Sequence, residues 1–366
     1  MSFKHLFPLF LLAMVLVQTA CETEVDITAP YQRVPVVFGL LDPVQDTQFI
    51  MVNRTFLGVG NAQDMAQVED STLYEDLEAY IRWEDSGALQ DSVRLQPIVI
   101  DNKDSDGLFF APEQTVYYVP TSELDMDADI DILNDRTYAL SGFGDGQRIY
   151  AETEVIRMDI GLTRPGLGTS DLDFVSTFNE EGSTYRDFEI SWNSGPNGIK
   201  KRVTIFFHYT DLMMDGTTRE QSVEIPFVQT NSTTITDGEE RVGDFFYLQL
   251  MTKIDEDPDV MLRAAGEVEV ILTVAGEDFT TYLDIGDPLS DVGQERPRYS
   301  NVNDGDGIGI LSSRSTFSRT RPLSEENQTD QDMRELVLGQ YTSNLCFCDP
   351  RPGSQFDCQN SVEICQ

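Results

Sequence analysis

Short runs of alternating apolar and polar residues recur along most of this 366-residue chain. The runs are rich in Val, Ile, Phe and Tyr and are separated by Gly, Asp, Asn and Pro, which is the pattern of β-strands joined by turns. In the first half the predicted strands are residues 34–41, 48–56, 78–84, 92–99, 115–119, 137–143 and 149–158. About seven short strands in roughly 125 residues predict an immunoglobulin-like sandwich over residues 34–158.

The second half continues in the same way after residues 157–170, which show no periodicity and predict a domain boundary. Predicted strands follow at residues 186–193, 201–209, 221–228, 233–236, 266–275, 279–285 and 308–315. Two segments, 244–254 and 329–338, instead carry apolar residues at helical spacing. The chain is therefore predicted to be mainly β: the sandwich, a second β-rich domain over residues 159–322 with one or two covering helices, and a C-terminal helix and Cys-rich tail over residues 323–366.

The N-terminus has the pattern of an export signal. Lys4 precedes an apolar run that is too short to span a membrane, and Thr19-Ala20 precede Cys21. Residues 1–20 resemble a lipoprotein signal peptide, in which Cys21 becomes the acylated first residue and residues 21–33 form a tether. Several acyl chains on one residue give stable anchoring. Plain secretion, with another use for Cys21, is the alternative.

The charge of the chain excludes several classes of function. It has 64 acidic and 25 basic residues and a formal net charge of −39. Nucleic-acid affinity depends on cationic side chains that displace phosphate counterions, so nucleic acid is excluded as a partner. Anionic lipid would repel the chain as well, which leaves the lipid anchor as the predicted route to a membrane.

Histidine is scarce, with two in the whole chain. His5 lies in the predicted signal peptide, and His208 lies in a predicted strand. The sequence contains no nucleophile-elbow motif that His208 could serve. We therefore expect no enzymatic activity, no catalytic residues and no cofactor. Trp83 and Trp192 lie in predicted strands, where a core position is favoured over a sugar-binding platform.

Four cysteines lie close together near the C-terminus: Cys346, Cys348, Cys358 and Cys365. In an exported chain this predicts two disulfides, with three possible pairings, although a Cys346–Cys348 bridge would close a strained ring. A thiolate metal site is the alternative, but the spacing lacks paired Cys-x-x-Cys ends.

One acidic loop has the spacing of a calcium-binding EF-hand. Its oxygen ligands would be Asn102, Asp104, Asp106 and Glu113, with Gly107 at the sharp turn. The flanking segments are predicted strands, however, and a Gly- and Asp-rich hairpin turn accounts for the same residues. We favour the hairpin and keep calcium as the weaker candidate.

Two pairs of segments carry a family resemblance. Residues 34–43 with 52–57, and residues 294–302 with 305–314, resemble an uncharacterised family of Bacteroidota outer-membrane lipoproteins. The resemblance implies a lipid-bearing Cys, an immunoglobulin-like domain and genes beside TonB-dependent receptors, and hence an outer-membrane β-barrel partner. It supplies no catalytic residues. The Cys-rich tail departs from the ending of that family.

Glycine spacing in the last of these segments has a separate interpretation. Gly305, Gly307 and Gly309 predict unusual backbone angles or close approach, and a bulge or tight strand start is favoured over a phosphate cradle because a strand follows. The leading functional prediction is a surface-exposed, lipid-anchored outer-membrane protein. It would act without catalysis as an accessory or ligand-capture subunit of a β-barrel complex. The alternative is a glycan- or calcium-binding cell-surface module.

Overall fold

The computed structural model describes residues 33–56, 62–104, 106–126, 136–156, 160–166, 172–179, 182–286, 298–323 and 331–359. Residues 1–20, Cys21 and the tether up to residue 32 lie outside the described residues. The chain divides into two units, Met1–Arg33 and Val34–Gln366, and the described strands and helices lie in the second. As predicted, the fold is mainly β.

The first half forms a sandwich of two sheets. Its strands are β1 (Pro35–Leu41), β2 (Thr47–Arg54), β3 (Glu78–Asp85), β4 (Ala88–Arg94), β5 (Gln96–Ile100), β6 (Gln114–Pro120), β7 (Arg136–Gly144) and β8 (Gln147–Glu154). One sheet has the order β1-β2-β6-β5 and the other β4-β3-β7-β8. These are the A-B-E-D and C-F-G arrangements of immunoglobulin domains, the second extended by β4. The prediction of an immunoglobulin-like sandwich is confirmed.

The core of this sandwich contains two further features of the fold. Trp83 on β3 is buried, and its ring centroid lies 6.3 Å from that of Tyr138 on β7. The Tyr138 hydroxyl donates a hydrogen bond to the Leu124 carbonyl oxygen at 3.1 Å. A tyrosine on strand F that binds upstream backbone is a tyrosine corner, which satisfies the buried hydroxyl and fixes the chain between the sheets.

The predicted strand at residues 92–99 is two strands in the structure. β4 pairs with β3, whereas β5 pairs with β6 in the opposite sheet. The chain crosses between sheets at Leu95, which is buried and donates its amide hydrogen to the Ala79 carbonyl oxygen at 2.9 Å. A continuous run of strand-forming residues does not reveal such a crossing.

The second half forms another sandwich. Its strands are β9 (Gly161–Arg164), β10 (Val175–Asn179), β11 (Gly182–Tyr185), β12 (Asp187–Asn193), β13 (Lys200–Met213), β14 (Thr218–Asn231), β15 (Thr236–Val242), β16 (Val260–Ala275), β17 (Ile308–Pro322) and β18 (Phe347–Cys348). The sheet β15-β12-β9 faces β14-β13-β16-β17, and β10 and β11 form a separate hairpin. By chain order this is the A-B-E and C′-C-F-G arrangement, so both halves share one strand plan.

Within the described ranges four α-helices accompany the strands: α1 (Ala62–Ala66), α2 (Asp244–Lys253), α3 (Glu277–Gly286) and α4 (Gln331–Leu338). α2 and α4 confirm the two predicted helices, and they contribute Phe246, Leu250 and Leu336 to the second core. None of the helices in the described ranges is long and apolar enough to cross a membrane.

Two predicted strands of the second half are wrong. Residues 279–285 form α3, because acidic residues favour a helix N-terminus and the Ser312 hydroxyl accepts a hydrogen bond from the Phe279 amide at 3.0 Å. Residues 233–235 precede the actual strand, β15, which begins at Thr236. Its acidic sequence lacks apolar alternation, and pairing along β12 holds it in place.

β17 belongs to both sandwiches. Its first part pairs in parallel with β1, from Ile308 to Ser313, and its second part pairs antiparallel with β16. A single nine-stranded sheet therefore runs through the molecule. Val302 and Leu311 lie in the first core, although the sequence placed them in the second domain.

Candidate functional site

The outer face of the sheet β1-β2-β6 carries apolar side chains where a solvent-facing sheet is usually polar. Val36, Phe38 and Met51 point away from the core, since the alternating positions Val37 and Val52 are fully buried inside the sandwich. This outer face is half-buried. α1, the turn that follows it and the loop between β5 and β6 lie over it.

Between these elements lies a concave site that we call the outer-face groove, with a volume of about 500 Å³. Strands, helical turn and loop all contribute to its lining: Val36, Phe38, Met51, Asn53, Arg54, Thr55, Phe56, Ala66, Glu69, Thr72, Leu73, Lys103, Phe109, Phe110, Glu113, Gln114 and Thr115. A largely apolar concavity with a few polar groups is the usual form of a small-molecule site.

Hydrogen bonds hold the walls of the outer-face groove in place. The Phe110 amide donates to the Ala66 carbonyl oxygen at 2.8 Å, which joins the loop to α1. The Thr115 hydroxyl donates to the Glu69 carboxylate at 3.1 Å, which joins the turn to β6. The walls are thus attached both to each other and to the floor.

Some polar groups in the outer-face groove already have partners among the described residues, and one does not. Arg54 donates to the Leu73 carbonyl oxygen at 2.6 Å and forms an ion pair with Asp145 at 3.2 Å. Lys103 Nζ lies 5.4 Å from the centroid of the Phe109 ring. Asn53 Oδ1, by contrast, is buried and has no hydrogen-bond partner among the described residues. It is the one orphaned polar atom among the described lining residues.

The calcium candidates lie in the loop that forms one wall. The loop joins the antiparallel strands β5 and β6, so the favoured hairpin interpretation is confirmed. Asn102 Oδ1 accepts a hydrogen bond from the Gln114 amide at 2.9 Å, and Asp104 accepts one from the Asp106 backbone amide at 2.9 Å. Glu113 faces the groove. The described residues contain no group of three or more His, Cys, Asp or Glu side chains that could hold a metal ion.

A second concavity, the acidic cavity, has a volume of about 710 Å³ and lies where β7 and β8 meet α3 and the second sandwich. Five carboxylates line it: Glu152, Glu154, Glu277, Asp278 and Asp304. Burial raises the pKa of Asp278, and the Tyr299 hydroxyl donates a hydrogen bond to it. The carboxylates of the acidic cavity disfavour an anionic ligand. The Tyr299–Asp278 hydrogen bond lies within the protein and does not indicate a ligand.

The segments that carry the family resemblance meet each other in space. β1 pairs with the first part of β17, with Phe38 opposite Ile310. Asn303 Oδ1 accepts the Tyr150 amide at 2.8 Å, and its Nδ2 donates to the Arg148 carbonyl oxygen at 2.9 Å. Asn303 lies between residues 294–302 and 305–314, and these two bonds join it to β8.

The glycines of this segment allow close backbone approach, as predicted. Gly305 and Gly309 have φ values of +95° and +98°. A Cβ atom on Gly309 would lie 1.9 Å from the Val37 carbonyl oxygen. The parallel pairing of β17 with β1 therefore requires glycine at position 309.

The remaining sequence candidates are structural. His208 lies on β13, and its Nε2 is 3.2 Å from the Glu269 carboxylate. Trp83 and Trp192 are 5% and 1% exposed, so both belong to the cores and neither can be a sugar platform.

The C-terminal tail contains the predicted type of cross-link. Cys348 and Cys358 form a disulfide with a Cα–Cα distance of 5.0 Å, and Cys346 is also disulfide-bonded. Cys365 lies outside the described residues. Cys348 is fully buried on β18, which pairs with β16, so the bridge fastens the tail to the second sandwich.

Sequence reasoning missed the outer-face groove, although a signal was present. The segment Pro35-Val-Val-Phe-Gly-Leu-Leu41 is apolar without interruption, which indicates a strand covered on both faces. Asn53 gave no signal, because burial of its Oδ1 depends on tertiary structure.

Comparison with known proteins gives little. No protein-family model matches the chain, and no curated protein matches it. Among solved structures, β-glucuronidase 2 of Bacteroides uniformis is 8% identical, with 76% of this chain and 26% of the enzyme covered and a TM-score of 0.13. The chain spans about a quarter of that enzyme's length, and a TM-score this low carries no argument.

Proposed function

We propose that the protein is a surface-exposed outer-membrane lipoprotein. It acts without catalysis as an accessory or ligand-capture subunit of an outer-membrane β-barrel complex for transport, secretion or assembly. The observation that carries the proposal is the outer-face groove, a concave apolar site on a rigid sheet. Rigid elements hold a binding site more accurately than loops alone.

Because β17 runs through both sandwiches, the protein is suited to hold a ligand in the groove at a fixed position beside a partner. Strand pairing along the whole length of β17 joins the sandwiches through backbone hydrogen bonds. A domain pair linked only by a loop would move independently. The shared strand gives the groove a fixed position relative to the second sandwich, which leaves that sandwich available for docking.

Acylation at Cys21 would place this unit near a membrane. The segment from Cys21 to Pro35 extends at most about 45–50 Å, at roughly 3.3–3.6 Å per residue. The groove therefore operates close to the bilayer surface, within reach of an integral membrane partner. The net charge of −39 disfavours direct adhesion to anionic lipid.

The alternative, a glycan- or calcium-binding module, stays a prediction. Burial of Trp83 and Trp192 removes the two side chains that suggested glycan binding. Asn102 and Asp104 already make hydrogen bonds within their own loop.

Affinity purification from detergent-solubilised membranes of the native bacterium tests the proposal. A C-terminally tagged chain should recover an outer-membrane β-barrel protein at near-equal stoichiometry. The matched Cys21→Ala chain, which lacks the acylation site, should lose both membrane association and the partner. Recovery of the tagged chain alone from intact membranes would overturn the proposed function.

A further inference from the structure

We infer that the open edge of β5 (Gln96–Ile100) is a binding site for an extended, uncharged polypeptide segment of another protein, which pairs with β5 as an additional β-strand. The inference goes beyond the proposed function, because it uses neither the outer-face groove nor the lipid anchor. The occupant is identified by its chemistry: an extended backbone that carries apolar side chains at alternate positions.

β5 lies at one end of the nine-stranded sheet that runs through the molecule. It pairs with β6 on one side, and no strand of the described residues pairs with its other side. The strand is also accessible, since Ile98 is 39% and Val99 is 58% exposed. An exposed edge strand presents unpaired backbone N–H and C=O groups, which form a template for another strand.

Pro97 shows which backbone groups face the open edge. It lies opposite Tyr117 and has no N–H, so these two residues cannot exchange ladder hydrogen bonds. Bonded and non-bonded positions alternate in an antiparallel pair, and Ile98 and Ile100 are therefore the residues that bond to β6. The N–H and C=O groups of Val99, with the C=O group of Pro97, point to the open edge.

Charge distinguishes β5 from the other edge strands of the sandwich sheets. β4, β8, β9, β14 and β15 each contain at least one charged residue, and charges on an edge oppose pairing with another chain. The Asn303 side chain also bonds to backbone groups of β8. Residues 96–100 have no charged side chain. β5 is thus the edge strand best suited to accept a partner strand.

The backbone groups and the charge together select the occupant. A strand supplies donors and acceptors at the spacing of the β5 edge, whereas a lipid or a small molecule does not. A second copy of this chain is disfavoured, because each copy carries a formal net charge of −39. Side chains of the added strand would lie beside Ile98 on one face and beside Val99 on the other, where apolar residues fit and charged residues would lose hydration.

The test uses the chain from residue 21 onward with Cys21→Ala, so that no detergent is needed. The probe is a heptapeptide of alternating threonine and valine, blocked at both ends and labelled with a neutral dye. Fluorescence anisotropy should show saturable binding of one peptide per chain. A control peptide of the same sequence is N-methylated at its three central residues, which removes donors on both of its edges. It should bind at least about tenfold more weakly.

Two variants at one position separate backbone pairing from side-chain contact. Val99→Pro removes an outward N–H but no hydrogen bond to β6, so the variant should fold. It should weaken peptide binding about tenfold, the worth of one to two hydrogen bonds. Val99→Thr keeps the backbone groups and a β-branched side chain, and its affinity should stay within about twofold of wild type.

Hydrogen exchange locates the bound peptide. Saturation with the peptide should slow exchange of the Val99 amide hydrogen, because that N–H gains an acceptor. Exchange along β14, the strand at the other end of the same sheet, should stay unchanged. This measurement and the comparison of the two peptides decide the inference if Val99→Pro does not fold.

Several results would overturn the inference: no saturable binding, equal binding of the two peptides, equal affinities of folded Val99→Pro and Val99→Thr, or slowed exchange along β14 in place of β5. A wild-type dimer in light scattering that Val99→Pro converts to monomers would assign the edge to a second copy of this chain instead. These outcomes are independent of recovery of a β-barrel partner, so failure of this inference is distinguishable from failure of the proposed function.

Discussion

The side-chain amide of Asn301 forms a pair of hydrogen bonds with the backbone of Leu311, donating to its carbonyl oxygen at 2.8 Å and accepting its amide hydrogen at 3.0 Å. Asn301 Nδ2 also donates to the Glu152 carbonyl oxygen at 3.1 Å. Leu311 lies on β17 and Glu152 on β8, so one side chain bridges the two sheets of the first sandwich. This contact lies where β17 leaves the first sandwich for the second.

Asn301→Ala should destabilise the protein by about 1–3 kcal/mol, because it leaves backbone groups of Leu311 without partners. Urea unfolding monitored by tryptophan fluorescence measures the change. Asn344→Ala is the matched control, since Asn344 is exposed and its side chain donates a hydrogen bond to the exposed Glu256 carboxylate at 2.8 Å. Equal losses of unfolding free energy in the two variants would show that the Asn301 bridge between the two sheets does not contribute to stability.

Gly309→Ala should cost at least about 3 kcal/mol, since the added Cβ would meet the Val37 carbonyl oxygen. Gly87→Ala separates this clash from backbone strain. Gly87 has a φ of +78° and open space around the Cβ position, so alanine there should cost only about 1–2 kcal/mol. Thermal or urea unfolding compares the variants, and a Gly309→Ala loss no larger than that of Gly87→Ala would contradict the close pairing of β17 with β1.

Asp332 makes stability depend on pH. Burial raises its pKa from 3.8 to about 7, and Asp173 adds to the rise, although the Tyr247 hydroxyl and the Phe174 amide donate hydrogen bonds to the carboxyl group. The folded state holds the proton more tightly than the unfolded state. The stabilisation is therefore complete below about pH 4 and is lost as pH rises through 7.

Asp332→Asn mimics the protonated carboxyl group and should remove this dependence. Between pH 4 and pH 8 the free energy of unfolding of the variant should rise relative to wild type by on the order of 3 kcal/mol, at about 1.4 kcal/mol per pKa unit. Asp106→Asn, on the exposed hairpin loop, is the control variant. Parallel curves for wild type and Asp332→Asn would refute the role of this group.

The Cys348–Cys358 bridge should stabilise the tail. Replacing both cysteines with alanine removes a short closed loop, for which chain entropy predicts a loss of about 2–3 kcal/mol. Limited proteolysis should then cleave the tail of the variant sooner than that of wild type. Identical cleavage rates would mean that this bridge does not hold the tail.

The sequence identified elements where local pattern and tertiary environment agree. Alternation in residues 78–84 and 137–143 matched strands with one face in the core, and Phe246 and Leu250 at helical spacing matched α2. The strand predicted for residues 279–285 was wrong because the Ser312 hydroxyl, which is distant in sequence, stabilises the first turn of α3. Nothing local to that segment records this contact.

The binding site depended even more on tertiary structure. The outward position of Phe38 was encoded in the uninterrupted apolar run of β1, but its surroundings, the Tyr282 ring of α3 at 6.1 Å and the groove under α1 and a distant loop, depend on tertiary structure. The calcium-like spacing around Asp104 proved to be the geometry of that loop. The sharing of β17 between two sandwiches could not be predicted either, since its two partners, β1 and β16, lie far apart in the chain.

In-cell photocross-linking tests the central claim, partnership with a β-barrel, most directly, because it needs no detergent. A benzophenone amino acid is placed singly at exposed apolar positions of both sandwiches: Leu89, Leu108, Met214 and Leu338. At one or more of these sites irradiation of intact cells should link the chain to an outer-membrane β-barrel protein, and Cys21→Ala should abolish the adduct. Efficient incorporation at all four sites with no adduct to any integral membrane protein would contradict the account.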